Sequence, residues 1–180
     1  MSNLTAFTNY QAQAAIYSMP QTFRVANAIR IFAGALCGLP GTNALTSSRG
    51  YLTRWQDQVN LQWAGIALAQ SWTGSLIVSA QTGVAANVNS VLGDTSLSPV
   101  PEISVEMGPL NLRNMTVTGV SAQTDVWRTP VYCSTDNFTD FTTTATSYAP
   151  SIGRILYWNS STTATVFVYG AALRALSTVS

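Results

Sequence analysis

The chain has 180 residues, and only 8% of them are charged, against roughly 25% in an average soluble domain. Its 8 basic residues are all arginine and it has no histidine, which excludes Ser-His-Asp and Cys-His catalysis, imidazole metal sites, Schiff bases and a P-loop lysine. A net charge of +1 is far from a nucleic-acid footprint, a hydrophobic content of 47% argues against disorder, and the longest uncharged apolar-rich stretch, Ile31 to Leu39, is far short of the ~20 residues of a membrane helix.

In chain order, residues 1–21 come first and carry no charged side chain. Tyr10 to Met19 is compatible with a short helix ended by Pro20, although the segment has no 3.6-residue apolar stripe. Two readings stay open: an arm that orders on another surface, or an ordinary chain terminus. No basic segment followed by an apolar run opens the chain, so no secretory signal is expected.

From Thr22 onward the pattern is β. TFRVAN alternates, and IRIFAGALCGL reads as two short strands around Ala33-Gly34. Residues 40–50 are turn chemistry, and YLTRW restarts a strand. LQWAGIALAQ is the strongest central strand, with Gly65 marking a bulge or a close backbone approach. SLIVSA follows, VAANVNSVLGDTSLSPVP is weakly alternating and then loop, and ISVEM, LNLRNMTVTGV, TPVYCS, IGRILYW and TATVFVYGAAL complete the set. Residues Thr135 to Pro150 read as one long loop, of the kind that is functional or mobile. About ten short strands at this spacing predict an all-β fold, a compact barrel or sandwich. The expected organisation is an N-terminal arm over 1–21 and a single β domain over 22–180.

Charge is unevenly placed. Residues 1–56 hold four arginines and no acid, whereas residues 94–140 hold six acids and two arginines, a net of −4. Either these sets pair within one fold, or they set basic against acidic surfaces of neighbouring subunits.

Candidate chemistry is sparse. Asp136, Asn137 and Asp140 offer oxygen ligands for Ca²⁺, but the EF-hand pattern is missing and a capped turn is the simpler reading. Glu102 and Glu106, the only glutamates, read as a solvated strand edge rather than a glycosidase pair. Trp55, Trp63, Trp72, Trp127 and Trp158 suit either a sugar-stacking surface or a core and subunit interface, the second being simpler. Cys37 and Cys133 read as free, buried, small hydrophobes. No cofactor or metal is expected.

The order of the small motifs resembles the capsid decoration (cement) proteins of tailed bacteriophages. In that family a segment "I-x-A-G-x-L-x-G-L" is followed by "G-Y-L" and "x-G-I-A", and this chain has IRIFAGALCGLPG, RGYLTRW and QWAGIAL in that order. VTGVSAQTDVWRTPVYCSTDNFTDF resembles the family's "D-V-G-x-P-V-Y-x-x-D-D", and SIGRILYWNSSTTATVFVYGA its closing "I-G-R-V … A-x-V-x-F" strand pair. The likeness covers residues 28–171. The chain departs from it at Trp127-Arg128, where the family has glycine before proline, and at Asp136-Asn137, where the second aspartate is replaced.

The resemblance implies a virion structural protein without catalytic residues. It would be made in the host cytoplasm and sit on the outer capsid surface as a homotrimer bound to the major capsid protein. Its arm would order on that protein, with Phe7, Tyr10, Ile16 and Tyr17 as candidate anchors. Arg24, Arg30 and Arg54 are the candidate subunit-interface residues, as partners for acidic neighbours. Neither direct nucleic-acid binding nor membrane association is expected. The alternative is a carbohydrate-binding β module of a head fibre or tail, used in host-surface attachment.

Overall fold

The structure, a computed structural model, describes residues 12–13, 20–41, 50–68, 90–120, 127, 129–137 and 140–171. Among these residues the first half supplies strands β1 (Ala12–Gln13), β2 (Pro20–Arg24), β3 (Arg30–Phe32), β4 (Leu36–Pro40), β5 (Thr53–Arg54) and β6 (Leu61–Ala67). The second half supplies β7 (Ser90–Leu92), β8 (Glu102–Glu106), β9 (Leu110–Thr118), β10 (Pro130–Cys133), β11 (Phe141–Thr142), β12 (Gly153–Trp158) and β13 (Thr163–Val168). The fold is all-β, as the spacing of apolar runs and turn residues predicts. No helix among the described residues is long and apolar enough to cross a membrane.

Five strands, β9-β11-β10-β12-β13, close into a barrel because β9 pairs with both β11 and β13. The length of β9 makes this possible. Leu110 to Thr116 run antiparallel to β13, and Val117 and Thr118 run parallel to β11. Leu110 and Leu112 face the barrel core, and so does Val117. That change of parity needs an extra residue, and Asn114 supplies it at φ 54, opposite the register slip between Ala164 and Val166. Closure leaves the barrel few unpaired edges.

A second sheet has the order β2-β8-β6-β4-β5, and β3 pairs with β7 beside it. Its central strand β6 is apolar almost throughout because it serves two cores. Trp63 and Ile66 pack with the barrel interior, whereas Ala64 and Ala67 pack with Val25, Ile31, Val91 and Ile103. Gly65 permits this arrangement. Its φ is +136°, and a methyl group there would collide with the carbonyl oxygen of Glu106. The close approach expected at this residue is therefore present.

The sheet and the barrel are joined by polar contacts through apolar side chains. The rings of Trp55 and Trp63 meet edge to face at 5.4 Å. Each indole N–H reaches across to a barrel carbonyl, Trp55 to Cys133 and Trp63 to Tyr169, both at 2.7 Å. The backbone N–H of Leu36 donates to the carbonyl of Asp136 at 3.0 Å.

Three expectations need correction. Ala12 and Gln13 are extended and paired with Leu112 and Asn111, so the helix reading fails at these two residues; without an apolar stripe, pairing with β9 satisfies their backbone instead. The segment 135–150 is not one structureless loop. Phe141, fully buried, anchors β11 between β9 and β10. Glu106 is not on a solvated edge: it is buried, and its carboxylate accepts the Gly108 N–H at 2.8 Å.

Candidate functional site

The outer face of the β12–β13 pair carries a cluster of aromatic residues. Ile155, Val166 and Val168 point into the barrel, so alternation sends Arg154, Phe167 and Thr165 outward. Arg154 lies opposite Phe167, and Tyr157 opposite Thr165. The Phe167 ring packs against Tyr169 at 6.0 Å and against Trp127 at 6.3 Å, with interplanar angles of 75° and 42°.

Trp127 reaches this face from the segment before β10. Its N–H donates to the carbonyl of Ile155 at 2.7 Å, which places it beside β12. Its φ is 62°, a left-handed conformation that a bulky side chain adopts only under constraint. Arg154 supplies that constraint. Its Nη1 donates to the Trp127 carbonyl at 3.0 Å, and its Nε donates to the Tyr169 hydroxyl at 2.6 Å. Trp127 is 54% exposed and Tyr157 61%. A polar ladder borders the patch: Thr165 Oγ1 donates to Asn159, and the Asn159 amide donates to Asn114.

A cleft of about 390 Å³ forms a second feature, lined by hydroxyl-bearing side chains such as Thr118, Thr142, Thr144 and Ser147, and by Asp57 and Asp140. Asp57 organises one wall. Its carboxylate accepts the backbone N–H groups of Ser147, Tyr148 and Ala149 at 3.0, 2.7 and 2.6 Å. Partial burial pushes its pKa up, but these bonds and one from Thr146 outweigh that, so the carboxyl titrates below its ordinary range. Asp140 accepts from the Thr135 hydroxyl at 2.6 Å.

The oxygen-rich sequence around Asp136 does not assemble as one ligand set. Asp136 is wholly buried, with Oδ2 4.0 Å from Arg54 Nε. No group of three or more Cys, Asp and Glu that could hold a metal gathers among the described residues. Cys37 and Cys133 are both free and buried. Burial pushes both thiols up, Cys133 to about 12, and the nearby Asp136 carboxylate adds to the shift at Cys37.

The three arginines expected at a subunit interface each have a partner in their own chain. Arg24, exposed, lies 3.6 Å from Glu102. Arg30 donates to Ser90 at 3.1 Å across the β3–β7 pair. Arg54 pairs with Asp136. They stand apart from the aromatic face. Phe7, Tyr10, Ile16 and Tyr17 lie outside the described residues, as does Trp72. Of the other tryptophans, Trp55 and Trp63 are core while Trp127 and Trp158 are exposed. Sequence reading passed over Arg154, Tyr157, Phe167 and Tyr169; the alternate placing of Phe167 and Tyr169 beyond an apolar strand was the available signal. Comparison with protein-family models, curated proteins and solved structures finds no match.

Proposed function

We propose that this chain is a virion structural protein that decorates the outside of an icosahedral phage capsid, binding the major capsid protein as a homotrimer without a catalytic role. The observation that carries this reading is where the decoration-protein-like segments fall. IRIFAGALCGL becomes β3, a turn and β4, and QWAGIAL lies antiparallel to β4 with Cys37 opposite Gly65. PVYC is β10, and the last two segments are the adjacent pair β12–β13. Segments far apart in sequence thus build the two cores of one fold.

The surface adds support. Val59, Tyr148 and Trp158 are large and exposed on a chain with few charges, a composition suited to being covered by protein neighbours. Many copies on a shell multiply a modest burial term of ~25 cal/mol per Å² into substantial stabilisation. The carbohydrate-module alternative asks for a row of aligned rings. Trp55 and Trp63 are in the core and the outer rings are tilted by 42° and 75°, so decoration is the better-supported reading.

The test is to add purified protein to capsid shells lacking it and to follow co-sedimentation and particle imaging, with the solution mass giving the oligomer. Saturable binding at regular surface positions is expected, and deletion of residues 1–20 should weaken it. Absence from the pelleted shells at excess protein would overturn the reading.

A further inference from the structure

We propose that Trp127 and Arg154 form a binding site for an acidic sugar, a hexuronate or similar carboxylated residue of a polysaccharide. The site does not depend on the capsid reading.

The backbone is the first observation. Trp127 occupies a left-handed conformation at φ 62 in which glycine is unstrained and a bulky residue is not. The chain instead places an indole there and leaves it 54% exposed. A side chain so exposed adds little to the core, so its strain is not explained by packing. Strain held by surrounding structure and aimed at solvent marks a functional surface.

The second observation is the neighbouring donor. Arg154 uses its Nε–H on Tyr169 and one Nη1–H on the Trp127 carbonyl. Three of a guanidinium's five N–H groups then have no partner among the described residues and remain to bind a ligand. The two bonds hold the guanidinium against the Trp127 backbone, on the face that also carries its indole. A planar fork of this kind suits a carboxylate.

Charge and shape select the occupant. Strands β9, β12 and β13 carry Arg113 and Arg154 and no acid, so the described part of this face favours an anion. The 42° tilt between Trp127 and Phe167 gives flat footing to one ring only. A pyranose presents a face of C–H bonds to the negative face of an indole. A uronate adds a carboxylate at the ring edge, where the free N–H groups of Arg154 can reach it.

The test titrates the full chain with methyl glucuronide, with methyl glucoside and acetate as controls. Indole fluorescence and the NMR signal of the Trp127 ring N–H are followed. The uronide should saturate with a Kd of roughly 1–10 mM, bind about tenfold more tightly than the glucoside, and weaken with salt. Acetate should leave the indole signal unchanged. Trp127→Gly should fold, unfold at an equal or higher temperature, and lose the binding. Trp127→Asn, which also tolerates the left-handed backbone, should behave alike. Arg154→Gln should abolish the preference for uronide over glucoside. The proposal is overturned if the wild type shows no saturable uronide response, or if both Trp127 variants bind uronide as the wild type does. It is equally overturned if this face captures capsid protein in a Trp127-dependent way without binding the sugar.

Discussion

Replacing Asp57 with alanine removes one acceptor from three backbone donors, the N–H groups of Ser147, Tyr148 and Ala149. Hydrogen bonds to a charged group contribute about 1.5–3 kcal/mol each when desolvated. The donors of Ser147 and Tyr148 are exposed and water can replace their partner, whereas that of Ala149 is part-buried. The expected cost of Asp57→Ala is therefore about 2–3 kcal/mol, well below the sum of three full bonds. For a chain of this size that is a fall in Tm of roughly 5–10 °C. Asp57→Asn keeps Oδ1, which serves Tyr148 and Ala149, but sets an amide group against the Ser147 N–H, and should cost about 1 kcal/mol.

The pH dependence follows from the same bonds. The folded carboxyl titrates below its ordinary value of 3.8, so the stabilisation is complete above that value and is lost as pH falls through the lower folded one. Asp57→Asn has no such titration. Its deficit should be constant near neutrality and narrow on acidification below about pH 4. Thermal unfolding by circular dichroism across this range measures both effects, and amide exchange at Ser147, Tyr148 and Ala149 localises them. Equal Tm values for wild type and Asp57→Ala near neutrality would refute the reasoning, and so would a deficit that does not narrow in acid.

Gly65→Ala should destabilise by at least ~3 kcal/mol in urea unfolding, because its new methyl group meets the Glu106 carbonyl in a backbone conformation that disfavours side chains. Arg54→Ala removes the cation 4.0 Å from the buried Asp136 carboxylate; a loss of about 2 kcal/mol is expected by chemical denaturation, less than for a fully buried pair because Arg54 is partly exposed. Trp55→Phe loses the indole bond to the Cys133 carbonyl and leaves that oxygen buried, which should lower stability by about 2 kcal/mol. Both thiols should react with an aromatic disulfide reagent near pH 8 only as fast as the chain opens, since burial disfavours the thiolate of Cys37 and pushes the Cys133 thiol up to about 12. Rapid labelling of either in the native protein would contradict its burial.

Much of the fold was legible in local patterns. The period-2 alternation of TATVFV and the apolar run LQWAGIA mark two strands, the second a central one, and Gly34 at φ 86 turns the chain where Ala33-Gly34 predicted. β11 was hidden because its two residues lie in a Thr-rich stretch with no alternation, and burial of Phe141 together with pairing to β9 and β10 holds it in the sheet. The aromatic face was only partly visible. Trp127 stood out as a tryptophan, but its partners are drawn from separate strands.

The sequence by itself determined the all-β class, the sparse charge and the residues of each strand that share a face, because a pleated strand alternates regardless of its neighbours. Tertiary structure alone decided which face is covered. Trp55 and Trp127 each sit among polar residues in the chain, yet the first is buried at the junction of sheet and barrel and the second faces solvent. Tertiary structure also decided that β9 serves two barrel neighbours and that Arg54 meets Asp136. These outcomes depend on pairing between segments far apart in the chain, and local residue patterns carry no record of which distant strand will arrive beside them.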